Sequence, residues 1–149
     1  MKTPIVVDST CLIGLERIGV LHLLPSLFHP VYVPPAVAGE FGVVLPWFSV
    51  VTPSDRALLD ALGMLVDAGE TEAIALAREL DVKVVLDDRR ARNVAGRMGL
   101  PIQGTIGLLV QAKRAGLVPA IRPLLGNLDS LGFHMSEGLK EEALRLVGE

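Results

Sequence analysis

Cysteine occurs once in this chain, at Cys11, and aromatic residues make up only 4% of it. A lone cysteine excludes an internal disulfide framework and fits a reducing compartment. Scarce aromatics leave Leu, Val, Ile and Ala to build the core, a composition that favours buried parallel strands flanked by helices. An excess of positive charge is missing too: 14 Lys and Arg face 17 Asp and Glu, a net charge of −3. A protein that binds nucleic acid by bulk charge is basic, so a polyanion here must be held by a local patch or through bound cations. Long apolar runs are also lacking. Pro4–Val7 stops at Asp8, and Phe41–Val51 contains Pro46 and falls far short of a membrane span. No secretory signal or membrane segment is read, and a cytoplasmic location is expected. A phosphate-cradling glycine loop, HExxH and GxSxG are all absent, which removes nucleoside triphosphatases, zincins and serine hydrolases as first choices.

The chain does hold a large supply of core. Half of its 149 residues are hydrophobic, which excludes disorder and fits one domain over residues 1–149. Pro4–Val7 reads as a buried strand, with Asp8-Ser9-Thr10 as turn and cap for a helix over Cys11–Ile18. A helix over Val20–Phe28 is expected to break at Pro25, and Val31–Val33 is a strand. Pro34-Pro35 opens a short helix, Ala36–Phe41, that carries Glu40. Phe48–Val51 is expected at a sheet edge, and Ser54-Asp55 caps a helix to about Val66. Ala68-Gly69 reads as a break before a helix over Glu70–Leu80. Val82–Leu86 is the clearest strand, followed by Asp87-Asp88 and a helix over Arg89–Met98. A short strand at Ile102 precedes a helix over Ile106–Ala115 capped by Gly104-Thr105. Helices around Ala120–Leu131 and Glu137–Val147 complete a C-terminal extension over about residues 117–149. Strands alternating with helices mean βα units and a mainly parallel sheet.

The placement of the acids carries the functional signal. Ligands of open α/β sheets bind beyond the carboxyl ends of the strands. Asp8 ends the first strand and Asp87-Asp88 end the clearest later one, so all three belong to one edge. Glu70 and Glu72 open the helix that leads into the Val82 strand, and Glu40 approaches the same edge. Singly, each has a structural explanation: Asp8, Asp87 and Asp88 as helix caps, Glu70 and Glu72 as dipole partners, Glu40 as a solvated residue. Four segments bringing acids to one edge strain that explanation, because clustered carboxylates need protons or a cation. His22, His29 and His134 stand alone and Cys11 reads as core, so an all-oxygen site for Mg²⁺ or Mn²⁺ is expected rather than a zinc site. Arg89, Arg90 and Arg92, with Lys113 and Arg114 farther on, are candidates for a phosphate backbone or for a merely solvated face. A receiver-like regulatory domain fits less well, since its acid pair follows the first strand.

The segments VVDST, VPPAVAGE, AGETEAIALA and VVLDDRRAR, in this order and spacing, resemble the PIN domain. The resemblance continues through GLPIQGTIGLLVQAKRAGLV and GFHMSEGLKEEALRLVGE, and is nearest to the subgroup DUF3368, related to toxins of prokaryotic toxin–antitoxin pairs. It implies a three-layer α/β/α fold and a ribonuclease that hydrolyses phosphodiester bonds with Mg²⁺ or Mn²⁺. The family's acids fall on Asp8, Glu40, Glu72 and Asp88, with Asp87 as the alternative to Asp88 and Glu70 beside Glu72 as a further ligand. Ser9, Arg89, Arg90 and Arg92 become the implied nucleic-acid contacts. Single-stranded RNA, an antitoxin protein and a second copy of the chain are the implied partners. Two departures loosen the expected site. Glu72 stands where an Asp is usual, and Leu86 stands where a Thr or Ser hydroxyl is frequent. A catalytically weak or inactive nucleic-acid-binding or regulatory module is therefore the alternative.

Overall fold

The computed structural model describes residues 1–149. Strand β1 (Thr3–Val7) leads into α1 (Ser9–Arg17), α2 (Leu23–Leu27), β2 (Phe28–Tyr32) and α3 (Pro35–Phe41). Then come β3 (Phe48–Ser49), α4 (Arg56–Gly63), α5 (Ala68–Leu80), β4 (Val84–Val85), α6 (Arg89–Arg97) and β5 (Ile102–Gln103). Helices α7 (Thr105–Arg114), α8 (Arg122–Ser130) and α9 (Glu137–Leu146) complete the chain. All strand pairings are parallel, in the order β3-β2-β1-β4-β5. The architecture is the expected three-layer α/β/α sandwich.

Alternation along the strands divides the core in two. Ile5 and Val7 join Val85, Leu12, Leu15, Leu108 and Leu109 on one face. Val6, Val84 and Leu86 join Ile74, Leu76, Ala91 and Ala95 on the other. The chain moves outward from β1 to β2 and β3, then returns to β1's other side with β4. The crevice between β1 and β4 is therefore the topological switch point, where such sheets place ligands. No helix is long and apolar enough to cross a membrane.

Three expectations need correction. The helix read over Val20–Phe28 shrinks to Leu23–Leu27, and Phe28 already starts β2, pairing with Thr3. Proline in so short a helix and a central strand waiting for a partner together set that limit. Strand β4 pairs over only Val84–Val85, although its apolar run is longer. Ala68-Gly69 is no break: Asp67 caps α5 and both residues form its first turn. The helix thus begins two residues early, which moves Glu72 into its second turn.

Candidate active site

Asp8 follows the last residue of β1, and its Oδ1 accepts from the Cys11 N–H at 3.0 Å as the cap of α1. The carboxyl is 3% exposed. Burial pushes its pKa well above the usual carboxylate range, and the charge of Asp87 adds to that; the Cys11 N–H opposes, while Glu70 and Asp67 raise it further. Val7 pairs with Val85, so the register sets Asp8 beside Leu86 and brings Asp87 one residue beyond. Cys11 is wholly buried and its thiol is pushed upward by burial and by Asp8, which makes it an inert core residue.

Asp87 bridges to the next βα unit. Its Oδ1 accepts from the Thr105 N–H at 2.8 Å and its Oδ2 from the Thr105 hydroxyl at 2.6 Å. Gly104, the cap of α7, has no side chain to offer, so Asp87 supplies the cap from a neighbouring loop. A Cβ on Gly104 would lie 3.1 Å from Arg92 Nη1 and 3.3 Å from Asp87 Oδ1, which is why this crossing is tight. Burial still raises the Asp87 pKa, with the Thr105 hydrogen bonds and the Arg92 charge opposing it.

The third contribution comes from the start of α5. Asp67 Oδ1 accepts from the Glu70 N–H at 2.8 Å, and Glu70 Oε1 accepts from the Asp67 N–H at 3.3 Å, a complete capping box. Glu70 is half-buried, and its pKa is raised by burial first and then by the charges of Asp67 and Asp88. Glu40, at the end of α3, accepts from the Ser9 hydroxyl at 2.9 Å through Oε2. Its other oxygen lies so close to Gly69 that a Cβ there would overlap it. Gly69 is needed for that approach, not for its backbone angles.

The remaining expected site residues sort clearly. Asp88 caps α6 through Ala91 N–H at 3.0 Å and is exposed beside Glu70. Glu72 points elsewhere: its Oε1 accepts from the Ala36 N–H at 2.8 Å and so caps α3, whose own cap is Pro34. Leu86 is fully buried among the α5 and α6 side chains, so the place of a hydroxyl is taken by core. Arg89 and Arg90 are exposed on the first turn of α6. Arg92, expected to contact nucleic acid, instead donates to the Leu86 carbonyl at 2.7 Å and faces Asp87. Lys113 and Arg114 are tied to the C-terminus through Glu149 and the Leu146 carbonyl. Asp67 was not among the sequence candidates, yet the D-x-x-E spacing to Glu70 is the signal that finds it.

Asp8, Asp67, Glu70, Asp87 and Asp88 thus act on one another electrostatically, with Glu40 held next to them by Ser9 and Gly69. The Arg92 guanidinium opposes the rise at Asp87, whereas Asp8 and Glu70 are raised further by their acidic neighbours. The oxygen-only donor set suits a hard divalent cation, whose charge would offset that of the gathered acids. As the side chains stand, no three of them close into a metal cage. Each is turned to a nearby backbone N–H or hydroxyl, and Glu40 and Asp88 are exposed.

The geometry defines the class as a three-layer domain with a parallel sheet and carboxylates gathered at its switch point. The chain belongs to the PIN-domain family DUF3368, whose model matches residues 4–149. PIN domains are generally nucleases and typically use divalent metals. No curated protein matches the chain.

Proposed function

We propose that this protein is a Mg²⁺- or Mn²⁺-dependent ribonuclease that hydrolyses phosphodiester bonds of single-stranded RNA in the cytoplasm. The observation that carries this reading is the buried Asp8 carboxyl at the β1–β4 switch point, pushed upward by burial and by Asp87 across the strands. Asp8, Glu40, Glu70, Asp87 and Asp88 are the residues that would hold the ion. A divalent ion bound there would supply an activated water and charge neutralisation at the phosphate. The chain's own contribution is order. Asp8 is fixed by the Cys11 N–H, Asp87 by Thr105, Glu70 by the Asp67 N–H and Glu40 by Ser9. Arg89 and Arg90, exposed on α6, are free to hold flanking phosphates. A role as the toxin of a toxin–antitoxin pair, restrained by a small partner protein, extends the same reading.

Purified protein with Mn²⁺ is expected to cut single-stranded RNA and to stop on chelation. Asp8→Asn keeps shape and cap but removes the charge, so it is expected to abolish cutting with the fold intact. Cutting by Asp8→Asn at the wild-type rate would overturn the assignment. The lack of a closed three-acid cage favours a second reading, a nucleic-acid-binding module. RNA binding without cutting by any divalent metal would decide for it.

A further inference from the structure

Both α1 and α6 start at the acidic edge, capped by Asp8 and Asp88, and each carries a lengthwise stripe bordering a groove. On α1 the stripe is Thr10, Ile13, Gly14 and Arg17, at the 0, 3, 4, 7 spacing of one helix face. It forms one wall of a 630 Å³ groove that ends at Asp87, Asp88 and Arg89. The opposite wall is the α8–α9 connection, with Leu131, Phe133 and His134. On α6 the stripe is Arg90, Asn93, Val94 and Arg97, lining a 750 Å³ groove that also reaches Asp88 and Arg89. Arg17, Arg89, Arg90 and Arg97 are all exposed, and none pairs with an acid or donates a hydrogen bond within the protein. Seven of the chain's 14 Lys and Arg are tied to internal acceptors instead, Arg92 among them.

We infer that the two grooves form one continuous track for a single RNA strand, crossing the acidic edge at Asp88–Arg89, with the C-terminal segment as a wall of its α1 half. This rests on the ribonuclease reading above. The occupant is argued from complementarity and from continuity with the acidic site. A single strand alternates phosphates with bases whose faces are apolar, and it binds cations interleaved with aromatic or apolar surface. The α1 groove offers those elements: Arg17 at its far end, Phe133 and His134 on the wall that faces α1, and the acids where it ends. Arg17 lies about 10 Å along α1 from Thr10 at 1.5 Å per residue, the reach of a neighbouring phosphate, not the scissile one. Phe133 rests on α1 where Gly14 has no side chain; a Cβ there would lie 3.5 Å from its ring, in ordinary contact. The tail therefore shapes the substrate path as well as closing the core.

Binding of a short single-stranded RNA carrying 4-thiouridine, measured by anisotropy in the uncutting Asp8→Asn background, tests the track. Arg17→Ala and Arg97→Ala are each expected to weaken binding about threefold to tenfold and to reduce the salt slope by about 0.7, one phosphate contact. Both side chains lack internal partners, so the variants keep the fold. Lys83→Ala, at the opposite end of β4, is expected to bind as the parent does. Crosslinks are expected within residues 131–134. If wild type cuts RNA while both arginine variants bind unchanged and no crosslink reaches the tail, the track is wrong and the ribonuclease reading stands. If wild type neither binds nor cuts RNA, that reading fails and the track with it.

Discussion

Asp8 shows what one carboxyl contributes in two opposed currents: it orders the start of α1 and burdens the fold with charge. Its folded pKa is raised, so the folded state holds the proton more tightly than the unfolded chain does. The stability tied to that proton is fully present below the ordinary carboxylate range, near pH 4. It is lost as pH rises through the raised folded value. Glu70 and Asp87 are shifted the same way and add to the trend. In chelator, Asp8→Asn is therefore expected to raise Tm at pH 7–8 and to give little gain at pH 4, while Asn still caps the helix. Thermal melts across that range check it; a lowered Tm at neutral pH would contradict it. Gly69 is the complementary case. Alanine in place of an exposed helical glycine usually gains about 0.5–1 kcal/mol, but a Cβ at buried Gly69 drives out the Glu40 carboxylate. Gly69→Ala is expected to leave Tm within a few degrees and to depress cutting sharply, separating site from fold.

At the scale of elements, three helices borrow their caps from distant acids. Pro34, Gly104 and Ile121 precede α3, α7 and α8 without a capping side chain. Glu72 from α5 serves Ala36 N–H, and Asp87 serves Thr105 N–H. Glu149 at the C-terminus serves the N–H groups of Ile121 and Arg122 and pairs with Lys113. Each borrowed cap fastens two elements that the sequence separates, and this is where sequence reasoning loses its hold. Strand-end logic finds Asp8 and Asp87 because an apolar run followed by Asp marks the edge by itself. It cannot tell Glu70 from Glu72, because the answer depends on where α5 starts and on the missing cap of α3. A capping role and a ligand role predict different outcomes for Glu72. Glu72→Gln keeps the acceptor oxygen and is expected to preserve both stability and cutting. Glu72→Ala is expected to lose about 1 kcal/mol of stability, read as a lower urea midpoint, and still to cut RNA. Loss of cutting in Glu72→Gln would return Glu72 to the metal ligands.

At the scale of the whole molecule, the alternation of strands and helices was legible because apolar runs and turn residues punctuate it throughout. The sheet order was not, since nothing local places β4 on β1's free side instead of next to β3. The same limit applies to the tail. Its leucines signal packing, but only the fold shows which ones are used. Leu125 and Leu128 are buried against the core, and Ala143 fits α9 against α7. Leu139 and Leu146 stay 49% and 41% exposed, seven residues apart on one side of α9. They border a 380 Å³ hollow whose apolar side is Ile106, Val110 and Phe133 and whose polar side includes Asp87, Arg92 and Glu142. An exposed apolar stripe beside a hollow with one apolar side gives each copy both halves of a two-fold contact. A homodimer through α9 is expected at micromolar concentration. Sedimentation of wild type checks it, with the Leu139→Lys, Leu146→Lys double variant as the comparison. The variant is expected to sediment as a monomer with its fold kept, because both side chains already face solvent. Wild type that sediments as a monomer, or a double variant that still dimerises, would refute pairing through this face.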